Sequence, residues 1–538
     1  MQRPGLSVEV RAVLSVGLSL ILALSSIGRA SEAAAVPHPN LTIVLIIDGL
    51  RPDSITPAAM PVLAELRSQG TSYSHAHSVF PTVTRVNAAA ISTGTLPDRN
   101  GIVSNSMFVE AVNAHAAFDT ADYRNLLKLA QVNGGRLLPS PTLGELVEKA
   151  GLRFVALSSG STGNALLLNP EAPNGTGVLI NGGFEPGKRV AFPEAINETI
   201  GRRFGGINSD SGFVSVEWTE RVLRDYVLPE LHPGVVVDWI TEPDTTQHKF
   251  GVGSEQSLAT LKKVDDQIGL LLARLRDLHL DASTNIIVVS DHGFSFQPAS
   301  TNVGAALSRA AVAPGEVVTA NNGESALLFV KEHNPATIKR LVSELYKQTG
   351  VGVVFTAAQQ PSADIMRCNP DKRTGWVDGT LSLDFIRECN PRTGADILIA
   401  MQWNSDPNPF GTKGTHVIAT LSEPTGAAPP GRSGHGGLSP WSVGTTMILR
   451  GPTFKHHAEM AAPAGNQDVM PTLLAGMGVP LNHAIDGRVL NEAFRSGTNL
   501  TARTGRTHVI EAGRGSPVRL QYSQILQHIY FDAAWREK

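Results

Sequence analysis

The sequence predicts an α/β fold built on a central, mostly parallel β-sheet. Four apolar, β-branched runs have the length of buried strands, and an amphipathic helix pattern separates the last two. The predicted strands are Leu41–Ile47, Arg153–Leu157, Gly234–Asp238 and Asn285–Val289. The helix pattern repeats aliphatic residues from Leu258 to Leu278. A strand, a helix and a further strand in this order favour parallel pairing.

Shorter signals occupy the chain between these strands. A helix is predicted with Pro61 in its first turn and Gly70 at its end. The stretch Phe80–Asn105 contains four threonines, two serines and no lysine, and its middle part, Val86–Ser92, favours a helix. A threonine just ahead of such a helix lies near free backbone N–H groups, where an anion is stabilised.

Changes of pattern divide the chain into five predicted segments. They are a signal peptide (1–30), a first core segment (38–294), a smaller α/β insertion or cap (295–431), a second core segment (432–496) and a C-terminal extension (497–538). The insertion has predicted strands at Ala326–Val330 and Val351–Phe355 with a helix, Ile338–Tyr346, between them. The core pattern resumes at Thr446–Leu449, and a helix is predicted at Asp468–Gly476. Short strands are expected in the extension, whose role the sequence does not indicate.

Composition and the N-terminus restrict the class of partner and the location. The 538 residues carry a formal net charge of -3 and only 6% aromatic side chains, so we expect no binding of nucleic-acid duplexes. Arg3 and Arg11 precede the apolar run Ala12–Leu24, which is typical of a secretory signal peptide and short for a membrane span. The alternative is an uncleaved anchor. We predict a secreted or periplasmic protein that acts on a small molecule and does not insert stably into a membrane. The sequence does not indicate its oligomeric state.

The two cysteines of the chain, Cys368 and Cys389, lie in repeated Cys-Asn-Pro contexts. In an oxidising compartment this arrangement predicts a disulfide between them. Two unrelated free thiols are the alternative.

Carboxylates and histidines with metal-ligand spacing occur in four places. They are Asp48, the pair Asp244 and His248, the adjacent Asp291 and His292, and His435 within Gly434–Gly437. Asp48 and Asp291 follow buried strands, so both are expected at the carboxyl edge of the sheet. Carboxylate and imidazole ligands together suit Zn²⁺ and similar metals better than Ca²⁺. His416 is the alternative to His435, in a setting less rich in glycine.

The ordered set of motifs resembles the nucleotide pyrophosphatase/phosphodiesterase (type I phosphodiesterase) branch of the alkaline phosphatase superfamily. The resemblance spans Leu41 to Leu490, interrupted by the insertion. The motifs are Asp48-Gly49, Pro-Thr-x-Thr-x-x-Asn at Pro81–Asn87, Thr-Gly-x-x-Pro at Thr93–Pro97, Asn105, Glu-Pro-Asp-x-x-x-His-x-x-Gly at Glu242–Gly251, Ser-Asp-His-Gly at Ser290–Gly293 and Gly-His-Gly at Gly434–Gly436. The segments Gln467–Leu474 and Ile485–Leu490 also look like this superfamily.

The resemblance implies an alkaline-phosphatase-like three-layer sandwich and two Zn²⁺ ions, with other divalent metals as alternatives. By this resemblance Thr84 is the nucleophile, and Asn105 stabilises the phosphate oxygens. One zinc ion would be held by Asp244, His248 and His435. The other would be held by Asp48, Asp291 and His292 and would bind the Thr84 oxygen. The implied reaction is phosphoryl transfer between two metal ions through a phospho-threonine intermediate.

The chain departs from the pattern of many relatives at several positions. After the nucleophile they have Phe-Pro-Asn-His, whereas this chain has Arg85-Val86-Asn87-Ala88. Arg85 is expected either to bind a second phosphate or to face solvent. The histidine of the Pro-x-x-His-Gly turn is Asn100 here, which we expect to change local packing rather than chemistry. Thr82 is the alternative nucleophile.

The loop Ser158–Asn164 contains no lysine or arginine, although related monoesterases that use a threonine carry cations in the comparable loop. Without them the site suits the single charge of a diester better than a dianion. The sequence therefore predicts cleavage of phosphodiester or phosphoanhydride bonds. A phosphomonoesterase or phosphonate hydrolase of the same superfamily is the first alternative. A catalytically silent metal-binding protein is the second.

Overall fold

The structure is a computed structural model that describes residues 39–182, 190–206, 212–357, 375–421, 432–497, 506–512 and 517–537. Among these residues, nine strands form the main sheet, with Leu41–Ile47 in the middle. In spatial order the strands are Ala458–Met460, Thr71–Tyr73, Met447–Arg450, Thr284–Val289, Leu41–Ile47, Val235–Ile240, Phe154–Ser158, Val178–Asn181 and Val190–Phe192. The five strands from Thr284–Val289 to Val178–Asn181 are parallel, and antiparallel pairs occur on both sides of them. The four predicted core strands and their parallel pairing are confirmed.

Helices cover both faces of the main sheet, because its central strands are apolar on both faces. Along Leu41–Ile47 the side chains alternate between two hydrophobic clusters, with Val44 and Ile46 in one and Ile43 and Leu45 in the other. The first face is covered by Thr84–Thr93, Tyr123–Val132, Leu143–Lys149, Thr162–Leu168 and Val469–Gly476. The second face is covered by Pro61–Gln69, Glu194–Phe204, Gly212–Val222 and Glu255–Asp277. The predicted three-layer α/β sandwich is therefore present.

Residues of the predicted insertion form a second, five-stranded sheet. Its strands in spatial order are Val317–Asn321, Ser325–Val330, Ile397–Met401, Val351–Thr356 and Leu381–Ser382, and the helices Val303–Arg309 and Pro335–Leu345 accompany them. Leu327 and Phe355 on one face join the core cluster of the main sheet, so the two sheets share apolar packing. The strand Ser295–Asn302 pairs with Lys413–Thr420 and with Ser433–Gly434. Since this pairing crosses residue 431, the segment boundaries stay predictions.

The C-terminal extension contains three antiparallel strands, Arg506–Ala512, Val518–Ile525 and His528–Arg536. The last strand is bound to the core, because the Ala534 N–H donates to the Leu438 carbonyl at 2.8 Å. The Tyr530 hydroxyl also donates to Asp468 at 2.8 Å. The expected short strands are thus present and contribute to the core packing.

Three predictions concern residues that the structure does not describe. The predicted signal peptide, residues 1–30, lies outside the described residues, and so does Cys368. Export and the disulfide to the buried Cys389 therefore stay predictions. Within the described residues, no helix has both the length and the apolar character needed to span a membrane.

Candidate active site

Three carboxylates meet at the carboxyl edge of the main sheet, as the strand-end positions predict. Asp48, Asp244 and Asp291 follow three neighbouring parallel strands, which end side by side. The backbone N–H of Gly49 donates to Asp291 Oδ1 at 3.0 Å, and that of Asp244 donates to the Asp48 carbonyl at 3.1 Å. These bonds fix the turns after the strands, so the three acidic side chains share one site.

Three histidines complete this site, and each has one ring nitrogen bonded to a backbone carbonyl. His248 lies on the helix Asp244–Phe250, and His292 and His435 lie in the turns at Ser290–Gly293 and Gly434–Gly437. The Nδ1 contacts run from His248 to Ser433 O (2.9 Å), from His292 to Gly293 O (3.0 Å) and from His435 to Thr82 O (2.8 Å). A carbonyl only accepts, so each Nδ1 carries a proton, and in the neutral ring Nε2 is left with the lone pair that can bind a metal. This is the arrangement that orients metal-binding histidines.

We call Asp48, Asp244, His248, Asp291, His292 and His435 the metal cluster, since their ligand atoms converge. Nε2 of His292 lies 3.0 Å from Asp291 Oδ2 and 3.4 Å from Asp48 Oδ1. Asp244 Oδ1 lies 3.4 Å from Nε2 of His248 and 3.5 Å from Nε2 of His435. The ligand atoms form two sets, and within each set all atoms lie within 4.8 Å of one another. One set is Asp48, Asp291 and His292, and the other is Asp244, His292 and His435. His292 stacks on His435 with ring centroids 3.5 Å apart, and it belongs to both sets of ligand atoms.

The polar atoms of this cluster are arranged as ligands of a cation would be. Asp48 Oδ1, Asp244 Oδ1, Asp291 Oδ2 and His292 Nε2 are buried and have no hydrogen-bond partner. Burial raises the pKa of Asp48 well above its usual range, and the charges of Asp291 and Asp244 add to the shift. Burial also lowers the pKa of His435, which keeps that ring neutral and able to bind metal. Unpaired carboxylates in such proximity are costly unless a cation balances them.

Thr84 is the first residue of the helix Thr84–Thr93 and is buried beside the metal cluster, two residues from the carbonyl that holds His435. The preceding turn is fixed by Asn87, whose Oδ1 accepts from the Val79 N–H at 2.8 Å and whose Nδ2 donates to the Val83 carbonyl at 3.1 Å. The predicted helix at Val86–Ser92 is therefore present and begins at the predicted nucleophile.

Thr82, the alternative nucleophile, has its hydroxyl engaged in two bonds. It donates to the Gly437 carbonyl at 2.9 Å and accepts from the Gly436 N–H at 3.0 Å, and the residue is fully buried. Gly436 has a φ of +111°, and a Cβ there would lie 2.4 Å from the Asn322 carbonyl oxygen. Thr82 thus anchors the glycine-rich turn that carries His435, and this geometry favours Thr84 as the nucleophile.

Asn105 lies next to the start of the nucleophile helix. Its Oδ1 accepts from the Arg85 N–H at 3.0 Å, and its backbone carbonyl accepts from the Thr120 hydroxyl at 2.6 Å. Because Asn105 Oδ1 already accepts from Arg85, the Nδ2 group is the part of the side chain that can donate a hydrogen bond to a substrate oxygen. Asn100 by contrast is fully buried and bonds only to nearby backbone, to the Thr95 carbonyl at 2.7 Å and the Ile102 N–H at 2.9 Å. That position has the packing role expected of it.

Arg85 does not face solvent, since its side chain is only 15% exposed. Its Nε is buried without a hydrogen-bond partner, and its Nη2 lies 3.7 Å from Asp119 Oδ1. Burial lowers the pKa of the guanidinium, whereas Asp119 and the carboxylates of Asp48 and Asp244 oppose that shift. This partial burial favours the phosphate-binding alternative for Arg85, which stays a prediction.

The Glu324 N–H donates to the His435 carbonyl at 3.3 Å, so the neighbouring His416, the alternative to His435, borders the metal cluster, but its ring is not among the ligand atoms that converge there. Its Nδ1 contacts the Val417 carbonyl at 2.9 Å, and its Nε2 lies 3.6 Å from Glu324 Oε2. We call these two residues the Glu324–His416 pair. Ser442 Oγ donates to Glu324 Oε2 at 2.6 Å. Gly437 separates the pair from the active-site turn, and a Cβ on Gly437 would lie 2.3 Å from His416 Nε2.

Two side chains that bond to the metal-ligand residues, Trp239 and Asn466, were not predicted from the sequence. Trp239 Nε1 donates to Asp48 Oδ2 at 2.9 Å, which orients the carboxylate. Asn466 Nδ2 donates to the Asp291 carbonyl at 2.8 Å and to Asn87 Oδ1 at 3.0 Å, and thereby links a ligand to the nucleophile turn. The available signal for Trp239 was an indole N–H in a strand otherwise apolar on that face, since a buried N–H needs an acceptor.

Known proteins are similar to this chain in sequence and in fold. The family described as "Type I phosphodiesterase / nucleotide pyrophosphatase" matches residues 42–354, more than half of the chain. Human ectonucleotide pyrophosphatase/phosphodiesterase family member 1 is 26% identical over 258 residues, which cover 47% of this chain and 23% of that protein. Venom phosphodiesterase 2 of Crotalus adamanteus is 25% identical over 272 residues, which cover 49% of this chain and 28% of that protein. The chain thus spans less than a third of either relative.

Two solved structures have a similar fold. The human ectonucleotide pyrophosphatase/phosphodiesterase 5 structure has a TM-score of 0.58 and 16% identity, and the match covers 85% of this chain and 100% of that chain. The murine protein, an inactive variant in complex with AMP, has a TM-score of 0.56 and 15% identity, with 82% and 96% covered. These structures confirm the alkaline-phosphatase-like architecture. With the family match, they lead to one conclusion: the chain belongs to the type I phosphodiesterase/nucleotide pyrophosphatase family.

Proposed function

We propose that this protein is an exported two-zinc phosphodiesterase or nucleotide pyrophosphatase that acts through a phospho-threonine at Thr84. The observation that carries the proposal is the convergence of unpartnered carboxylate and imidazole atoms next to a threonine at a helix start. The names of the relatives, phosphodiesterases and nucleotide pyrophosphatases, agree with this reaction class.

The residues of the metal cluster fit zinc, because three carboxylates and three imidazoles form the donor set. Asp48, Asp291, His292 and Thr84 would hold one ion. Asp244, His248 and His435 would hold the other, with His292 close enough to contact both sets. When bound, the two ions supply Lewis-acid stabilisation of phosphoryl oxygens and lower the pKa of a hydroxyl group.

The side chains of the protein perform the transfer in two steps. In the first, Thr84 Oγ1 attacks phosphorus, the bond to the leaving oxygen breaks, and the proton that Thr84 loses departs with the leaving group. In the second, a water oxygen attacks the phospho-threonine, Thr84 Oγ1 departs and takes up the proton that the water loses, and the phosphate ester is released. Asn105 Nδ2 and the backbone N–H of Thr84 would donate to the phosphoryl oxygens, where charge develops.

The substrate we favour is a phosphodiester or a nucleotide pyrophosphate. The loop Ser158–Asn164 supplies no cation, and two of its backbone N–H groups bond within the loop, that of Asn164 to Ser161 Oγ at 3.3 Å and that of Gly160 to Ser158 Oγ at 3.1 Å. A monoesterase, a phosphonate hydrolase and a silent metal-binding protein are the alternatives that an assay has to separate.

The test combines zinc content, turnover of bis(p-nitrophenyl) phosphate and mass spectrometry of the trapped enzyme. We expect two zinc ions per chain, turnover in the wild type, and phosphate on Thr84 after acid quenching. Thr84→Ala should lose turnover by at least about 10³-fold. Thr82→Val, the matched control, removes the neighbouring hydroxyl and should still carry phosphate on Thr84.

A higher rate on p-nitrophenyl phosphate than on the diester would contradict the diesterase proposal. Zinc binding without turnover on either substrate would support the silent protein. Phosphate on Thr82, or turnover that survives in Thr84→Ala, would contradict the role of Thr84.

A further inference from the structure

Arg85 is a partly buried cation whose charge the described residues do not neutralise by a hydrogen bond. Its side chain is 15% exposed, and its Nε is buried without a partner. Its ion-pair partner, Asp119, lies 3.7 Å away, beyond hydrogen-bond range, and is 67% exposed. An exposed carboxylate at this distance is screened by water and holds the guanidinium weakly.

Other buried arginines in the described chain are bonded differently. Arg488 donates to both carboxylate oxygens of Glu492, at 2.7 and 3.0 Å, and to the Pro463 carbonyl at 2.8 Å. Arg51 donates to both carboxylate oxygens of Asp53, at 2.9 and 2.6 Å. These arginines have the planar, two-point pairing that a buried guanidinium requires. Arg85 lacks such pairing, and therefore its site suits an anion that arrives from outside the chain.

The backbone of Arg85 lies beside the nucleophile, and its guanidinium is near enough to Asp48, Asp244 and Asp291 for their charges to affect its pKa. Arg85 follows Thr84 directly, and its backbone N–H donates to Asn105 Oδ1 at 3.0 Å. The side chain therefore starts from the same turn of helix as the nucleophile. The loop Ser158–Asn164 contains no basic residue, so Arg85 provides a cation that this loop does not.

We propose that Arg85 is a specificity-determining residue that binds a phosphate charge which the substrate carries beyond the single charge of a simple diester. The inference rests on the proposed function. Phosphate oxygens match the fork of a guanidinium in geometry and sign. The extra charge has two sources, the second negative charge of a phosphomonoester and the neighbouring phosphate of a pyrophosphate.

The test compares substrates that differ in charge. They are bis(p-nitrophenyl) phosphate with one charge, p-nitrophenyl phosphate as the monoester, and ADP-ribose as the pyrophosphate. In Arg85→Gln, kcat/KM should fall about 10- to 100-fold more for a substrate that bears the extra charge than for the diester. Loss on the monoester alone identifies the scissile phosphoryl group as the source, and loss on ADP-ribose alone identifies the neighbouring phosphate. Arg85→Lys, which keeps the charge, should recover part of the loss.

Two control variants separate binding from structure. Asp119→Asn removes the ion-pair partner, so it should not reproduce the loss if Arg85 serves the substrate. Arg124→Gln changes an arginine that is 63% exposed in an ion pair with Asp122, and it should leave the substrate ratios unchanged. An equal effect of Arg85→Gln on all three substrates, or the same effect from Asp119→Asn, would overturn the inference and leave the proposed function standing. Absence of wild-type turnover on all three would overturn both.

Discussion

Two regions of the molecule bury carboxylates beside histidines, yet only one fits a metal. In the metal cluster, three carboxylates converge, and four of the ligand atoms lack hydrogen-bond partners. In the Glu324–His416 pair, a single carboxylate accepts a hydrogen bond from Ser442 at 2.6 Å and lies 3.6 Å from one imidazole, whose Nε2 is the one atom of the pair that is buried without a partner. Burial alone therefore does not identify a metal site.

The difference is the balance of charge. Burial raises the pKa of Glu324 to about 8 and lowers the pKa of His416 to about 4, so both groups are neutral at pH 7. A neutral pair needs no counter-ion. In the metal cluster, burial raises the pKa of Asp48 and the charges of Asp291 and Asp244 add to the shift, so a cation would stabilise the three carboxylates together. The three experiments that follow test this contrast.

The largest effect should come from removing one charge of the metal cluster. Asp291→Asn keeps an oxygen that can accept from the Gly49 N–H but loses a carboxylate ligand. We expect loss of one metal ion per chain and a fall in kcat of about 10³-fold or more. Metal analysis and turnover of bis(p-nitrophenyl) phosphate measure both. Glu324→Gln, the matched control in the other region, should keep both ions.

The next largest effect is expected for Glu324→Gln, whose stability relative to the wild type should rise with pH. The folded chain holds the Glu324 proton up to about pH 8, whereas the unfolded chain releases it near pH 4.5. Wild-type stability from this group is thus present below pH 4.5 and is lost as the pH rises to 8. Glutamine has no proton to lose, so between pH 5 and 8 Glu324→Gln should gain on the order of 3 kcal/mol relative to the wild type.

Chemical denaturation of the metal-free protein at the two pH values measures this gain. A constant difference between Glu324→Gln and the wild type would show that Glu324 is ionised in the folded chain. The pair would then be an unbalanced charge like the metal cluster, and the contrast between the two regions would be lost.

The smallest effect concerns the orientation of a ligand. Trp239→Phe removes the indole N–H that donates to Asp48 Oδ2 and keeps an aromatic ring. Metal affinity should fall about 10- to 100-fold, which is typical for loss of a hydrogen bond to a metal ligand. Titration with a competing chelator measures it. Trp403→Phe, which removes an indole N–H bonded to the Ala534 carbonyl, is the matched control and should not change affinity.

The sequence predicted the features that depend on local pattern. Buried runs such as Leu41–Ile47 are apolar on both faces, and the parallel pairing they imply places Asp48 and Asp291 at one edge. The bonds of Trp239 and Asn466 to the ligands were not predictable, because they join residues far apart in the chain, Trp239 and Asp48 being 191 positions apart. The environment of Arg85 likewise depends on Asp119, which only the fold places near it.

The most direct test of the charge argument is anomalous diffraction at the zinc edge from crystals of the zinc-loaded protein. We predict two peaks within the metal cluster. One should lie among Asp48, Asp291 and His292, and the other among Asp244, His248 and His435. We predict no peak between Glu324 and His416. A metal-cluster region without a peak, or a peak between Glu324 and His416, would contradict the account.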